Sequence, residues 1–151
     1  MARPTLDDVP RPALVLGGLG LIPFIAGAAG AWALDPDLAG LAIPLQFFWA
    51  CAALSFLGAV HWGLAIAAPR GATWRRLGWS VMPALLAWLL TALELEPVQM
   101  GLALVLAYPV TLAVDVAATR KGWAPAWYPA LRIPLTIVAT LALAASVWRL
   151  A

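Results

Sequence analysis

His61 is the single histidine of the chain, and it stands inside the apolar stretch Leu54-Ser-Phe-Leu-Gly-Ala-Val-His-Trp-Gly63. Imidazole titrates near neutrality, so it can handle protons, bind a polar headgroup or ligate a metal. The charged groups best placed to act with it are Asp115 and Arg132, with the hydroxyls of Tyr108 and Tyr128 as additional hydrogen-bond partners. Tyr108, Thr111, Asp115 and Thr119 follow one another at three- and four-residue steps, which puts them on one face of a helix. Arg132 is followed one turn later by Thr136, and Ser80 and Thr91 share a face of another apolar run. A carboxylate isolated among apolar residues is unfavourable, and a neighbouring guanidinium or imidazolium relieves it. The pattern predicts a buried His61–Asp115–Arg132 cluster. A plainer arrangement stands beside it. Asp115 can bond locally near a helix end, Arg132 can extend to lipid headgroups and His61 can donate to a backbone carbonyl.

Several chemistries are excluded by residue supply. One histidine cannot provide bis-histidine ligation, and one cysteine, Cys51, cannot form an intramolecular disulfide or a multi-cysteine metal centre. No nucleotide loop, nucleophile elbow or zinc-protease motif is present. We therefore assign no catalytic residue, no metal ligand and no cofactor. A net charge of +2 implies no nucleic-acid partner.

The elements that must position these groups follow from composition. Apolar residues make up 64% of the chain and charged ones 11%, against roughly a quarter charged in globular proteins. The apolar residues fall into five long runs, and ~20 helical residues suffice to cross a hydrocarbon core ~30 Å thick. Lipid leaves backbone groups to satisfy one another, so the runs are helices. The expected fold is an all-α polytopic membrane bundle with five transmembrane helices, at about 12–34, 44–68, 77–95, 98–118 and 131–149. Residues 1–11 form a short cytoplasmic tail and 12–151 a single transmembrane domain. Arg3, Arg11, Arg70, Arg75, Arg76, Arg120, Lys121 and Arg132 then share one side, with Arg149 alone on the other. By the positive-inside rule the N-terminus is inside and the C-terminus outside. Asp35, Asp37, Glu94 and Glu96 fall in the two outer loops. The first run is longer than the ~7–15 apolar residues of a signal peptide, so it is read as a retained span. Helix rise puts His61 within ~10 Å of the inner end of its span, level with Asp115 and Arg132.

Gly20, Pro23, Gly27 and Gly30 share one face of the first span, and Gly58 lies on the His61 face of the second. Small residues let helices approach closely in lipid, so these glycines are helix-packing candidates; Pro23 could also act as a hinge or gate. Tryptophans mark both interfaces: Trp62, Trp74, Trp79, Trp123 and Trp127 inside with Tyr128, and Trp32, Trp88 and Trp148 outside. Gly122-Trp-Ala-Pro-Ala-Trp-Tyr-Pro129 is expected to lie along the inner surface. Arg70, Arg75 and Arg76 are placed to touch anionic headgroups.

Gln46-Phe-Phe-Trp49, the His61 stretch quoted above, Ser80-Val-Met-Pro-Ala-Leu-Leu-Ala-Trp88, the Asp115 region and Ala126-Trp-Tyr-Pro-Ala-Leu-Arg-Ile-Pro-Leu-Thr136 together resemble the DUF3429 family. Alanine at 59, where the family hallmark carries glycine, is a departure that leaves packing intact. The resemblance implies a multi-pass protein of the bacterial inner (cytoplasmic) membrane, or of the mitochondrial inner membrane in a eukaryote. It brings no catalytic assignment. Two readings follow. The leading one is a non-enzymatic accessory or assembly component of a membrane complex, in contact with the lipid bilayer and with other membrane-protein subunits or a second copy. The alternative is a binder, transporter or membrane enzyme that uses the His61–Asp115–Arg132 cluster on a quinone, a lipid or a proton.

Overall fold

The computed structural model describes residues 5–33 and 36–151. Arg3 and Asp35, assigned above to opposite sides of the membrane, lie outside the described residues. Six α-helices follow a short 3-10 turn at Leu6–Asp8: α1 (Arg11–Leu19), α2 (Ile22–Ala33), α3 (Pro36–Ala67), α4 (Trp74–Ala92), α5 (Pro97–Arg120) and α6 (Tyr128–Leu150). Among the described residues there is no strand. Four stretches are long and apolar enough to cross a membrane: Arg11–Trp32, Ala39–Ala67, Pro97–Arg120 and Tyr128–Leu150. The remaining helix, α4, is 19 residues long and opens on Trp74-Arg-Arg76, which lowers its apolar content.

Two boundaries differ from the sequence reading. The first span is two helices, because α1 ends at Leu19 and α2 begins at Ile22. Pro23 has no N–H to continue the α1 ladder, and Gly20 before it imposes no side chain on the turn. The second span starts at Pro36 and not at 44, so Pro44 lies inside α3. A membrane helix tolerates such a residue, because neighbouring groups can satisfy the carbonyl it leaves free. The other three helices fall within about three residues of the expected spans.

Helix ends carry their own chemistry. Thr73 caps α4 by accepting the Arg76 N–H at 3.3 Å. The Arg76 side chain reaches back to donate to the Leu64 carbonyl in the last turns of α3 at 3.1 Å. α5 closes in a Schellman motif: Gly122 takes φ +70°, its N–H donates to the Thr119 carbonyl, and the Trp123 N–H donates to that of Ala118, both at 2.9 Å.

α3 is the central helix, packed against α2 on one side and α4 on the other, while α5 pairs with α6 and α2 bridges to α6. Short connections set α3 against α4, and α5 against α6, as antiparallel neighbours. Leu54, Leu104 and Leu143 meet in the fully buried centre with Phe24, Phe47, Ala50 and Tyr108. The outer surface is apolar as well: Leu16, Leu45, Phe48, Phe56, Leu106 and Leu141 are all more than half exposed. A surface of that kind suits hydrocarbon and not water.

The packing glycines separate into kinds. Gly27 presses on the Gln46 side chain, and Gly58 presses on the Ser80 carbonyl and the Pro83 ring of α4. Gly30 is buried. Gly20 does not serve as a contact glycine: a Cβ there would meet the carbonyls of Gly17 and Leu16 in its own helix. It is the C-cap of α1, and its role lies in the break. Gly101, which the sequence did not single out, sits under Val147 and Phe47. Gly58→Ala should therefore lower the stability of purified protein in detergent by about 1–3 kcal/mol, because backbone and not a flexible side chain blocks the new methyl. Gly63→Ala, which meets nothing within 4 Å, should change it by about 0.5 kcal/mol or less.

Candidate functional site

His61, Asp115 and Arg132 reach one another from three helices. α3 delivers His61 less than two turns before it ends at Ala67, α5 delivers Asp115 just over a turn before Arg120, and α6 delivers Arg132 one turn after Tyr128. The same end of the bundle thus holds all three. Arg132 Nε donates to Asp115 Oδ2 at 2.7 Å, and His61 Nε2 lies 2.7 Å from Asp115 Oδ1. A carboxylate paired with a guanidinium can only accept, so His61 carries a proton on Nε2 and donates it into this bond. Each carboxylate oxygen therefore receives one short N–H bond. Asp115 is 1% exposed, Arg132 7% and His61 12%. Neutralised in this way, the three groups form an ion-paired tie across α3, α5 and α6.

The neighbouring polar residues are committed elsewhere. The Tyr108 hydroxyl donates to the Ala50 carbonyl at 2.9 Å, so it is not a partner of the cluster. Its ring meets Phe24 edge-on, with centroids 5.6 Å apart. Tyr128 is buried on Ala118, with Val60, Leu64, Trp123 and Trp127 about it, and among the described residues it makes no hydrogen bond to the cluster. Thr111 and Thr119 donate to the carbonyls of Tyr108 and Asp115, one turn back in their own helix. Ser80 and Thr91 likewise bond within α4. The polar stripe on α5 thus resolves into one ionised residue and three hydroxyls that serve backbone. Arg132 Nη2 and the Thr136 hydroxyl are buried without a partner.

Gln46 is a buried polar residue, away from the cluster, that sequence reasoning did not single out. It is fully buried, and its Nε2 donates to the Phe24 carbonyl at 2.7 Å. Its Oε1 has no partner. A lone amide in an apolar run carries the same signal as His61, and its proximity to Gly27 is what the tertiary packing adds. Trp49 is similar: its indole donates to the Gly20 carbonyl at 2.9 Å, at the α1–α2 break.

Two cavities flank the cluster. One, of about 540 Å³, is lined by His61, Arg75, Arg76, Lys121 and Trp123. Arg75, Arg76 and Lys121 stand 5.7, 5.0 and 4.9 Å from the centre of the Trp123 ring. None of the three cations has a carboxylate partner among the described residues. The other, of about 760 Å³, has Arg132 in its wall and is otherwise almost wholly apolar.

Removing one partner of a buried ion pair leaves the other charge uncompensated. Asp115→Ala should cost about 3–5 kcal/mol of stability, and His61→Ala about 1.5–3 kcal/mol, the value of a bond to a charged group. The double variant Asp115→Ala/Arg132→Ala should lose clearly less than the sum of its singles in denaturant unfolding. Additive losses would mean that the two residues act independently.

Comparison with known proteins places the chain among relatives. A family model described as "Protein of unknown function (DUF3429)" matches residues 9–148, a range that contains the whole cluster. The chain is similar to Transmembrane protein 69 of Xenopus tropicalis, at 35% identity over 147 residues, covering 93% of this chain and 55% of that protein. It therefore spans about half the length of that curated relative. No solved structure matches.

Proposed function

This chain belongs to the DUF3429 family, and we propose that it is a five-span protein of an inner membrane that works without catalysis, as an accessory or assembly component of a membrane complex. The observation that carries this reading is that the one carboxylate of the polar cluster is closed off by its own helix partners. Both oxygens of Asp115 are occupied by His61 and Arg132, so the charged groups act first as a tie between helices. What the molecule offers to others is surface. Apolar helix faces suit neighbouring subunits, and the cations gathered at Trp123 suit anionic headgroups at about 1 kcal/mol each.

α4 is the fifth crossing in this reading. Its length, about 28 Å at 1.5 Å per residue, approaches the hydrocarbon thickness, and Val81, Met82, Leu85, Trp88 and Leu89 give it an exposed apolar face. Its two arginines then sit at the inner headgroup level with Arg70, Arg120 and Lys121, while Glu94 and Glu96 turn outward. That orientation follows the positive-inside rule. The membrane is the bacterial inner membrane, or the mitochondrial inner membrane in a eukaryote.

Topology can be read with a maleimide that does not cross membranes, in a Cys51→Ala background. Glu96→Cys should be labelled from outside and Lys121→Cys only after the membrane is opened. Glu96→Cys labelled only after the membrane is opened, with Lys121→Cys labelled from outside, would remove α4 as a crossing. For the role itself, isolation in mild detergent should recover a stoichiometric partner or a homo-oligomer. A clean monomer under conditions that preserve known complexes would overturn the accessory reading.

A further inference from the structure

The larger cavity lies where α1 and the start of α2 meet α3, α5 and α6. Its volume, about 760 Å³, is within the usual range of small-molecule sites, ~300–1,000 Å³. Its rim residues Leu16, Leu19, Ile22 and Phe56 are more than half exposed on the flank of the bundle. The mouth therefore opens sideways, towards acyl chains, and not through a polar end. Its depth is formed by buried Phe24, Tyr108, Ala139 and Arg132.

Arg132 is the one charged side chain of this wall among the described residues. Its Nε is held by Asp115 Oδ2, and its Nη2 is buried with no hydrogen-bond partner. A guanidinium has five N–H donors, and a buried donor without an acceptor is unfavourable. The two other polar tips that could have met a ligand here are already engaged. The Trp49 indole donates to the Gly20 carbonyl and the Tyr108 hydroxyl to the Ala50 carbonyl. Each then turns only its ring towards the cavity.

Charge decides what kind of acceptor fits. Asp115 already balances Arg132, so an anionic head would leave the site net negative in a low-dielectric setting, where uncompensated charge is strongly disfavoured. A neutral carbonyl oxygen takes the free N–H without that imbalance. The walls select the body of the ligand: Phe24, Tyr108, Trp49 and Phe56 present aromatic surface, and electron-rich phenol and indole faces favour stacking on a flat, electron-poor ring.

We propose that the α1–α2/α3 cavity binds a lipid-soluble quinone, with a ring carbonyl on the free guanidinium edge of Arg132 and the apolar tail leaving past Leu16 and Phe56 into the bilayer. This site goes beyond the accessory role and does not depend on it. A membrane-complex component can hold such a molecule without transforming it.

The test uses the full chain in phosphatidylcholine nanodiscs and a radiolabelled benzoquinone with a decyl tail. The expected result is saturable binding near one equivalent per chain, displaced by unlabelled quinone and not by decanoate, which shares the tail but carries a charged head. Ala53→Phe fills the cavity without touching the cluster and should weaken binding by about tenfold or more. Arg132→Lys keeps a cation for Asp115 but loses the fork that lets one side chain serve both Asp115 and the cavity. It should weaken binding to a similar degree while the protein keeps its helical circular dichroism. Non-saturable uptake, equal displacement by decanoate, or unchanged affinity in Ala53→Phe would each overturn the proposal. Should Ala53→Phe fail to fold, the displacement experiment on the unmodified chain and the Arg132→Lys variant decide it.

Discussion

An ionised carboxylate enclosed by apolar helices has to be matched on both oxygens, and the architecture is organised around meeting that demand at Asp115. The bond from Arg132 and the bond from His61 come from different helices, so satisfying Asp115 fixes how α3, α5 and α6 stand relative to one another. Apolar contacts alone would leave that relation soft, because lipid tails compete equally well for leucine and phenylalanine. A directional, desolvated ion pair sets the rotation and depth of each helix in a way that greasy surfaces cannot. Tyr128 and the Trp123 region pack together at the same end of the bundle.

Close packing does the remaining work. Gly58 lets α3 and α4 meet backbone to backbone, Gly27 admits Gln46, and Gly101 admits Val147 and Phe47. These contacts need no hydrophobic driving force; they rest on dispersion and on the short distance that a missing Cβ allows. The Gly20 carbonyl where α1 gives way to α2 is not left bare, since Trp49 supplies a donor to it, and Gln46 supplies one to the Phe24 carbonyl in α2. In hydrocarbon such compensation is required and not optional.

Much of this was legible in the residues because membrane helices are straight rulers. Counting residues from each span end brings His61, Asp115 and Arg132 to one depth, and only rotation about each helix axis was left open. Rotation is where the reading of Tyr108 departs from the structure. It shares a face with Asp115 but sits about two turns nearer the start of α5, and its hydroxyl meets the Ala50 carbonyl first. The start of α3 was placed at about 44, whereas the helix begins at Pro36 and carries Pro44 in its interior. The packing partner of a glycine such as Gly101 is invisible without the third dimension, since spacing tells which face is small and not what lies across from it.

The distribution of the ion-paired groups along the chain also has a bearing on biogenesis. Asp115 and Arg132 belong to consecutive helices joined by a short turn, so they can find each other as soon as that pair leaves the insertion machinery. His61 comes from a helix made earlier, one whose main neighbour in the chain that follows, α4, touches α5 only lightly. After α1 and α2, the molecule is thus built as two hairpins, α3–α4 and α5–α6. The later hairpin arrives with its charge already neutralised and one carboxylate oxygen still open, and the imidazole of the earlier one acts as the latch that joins them in the plane of the bilayer.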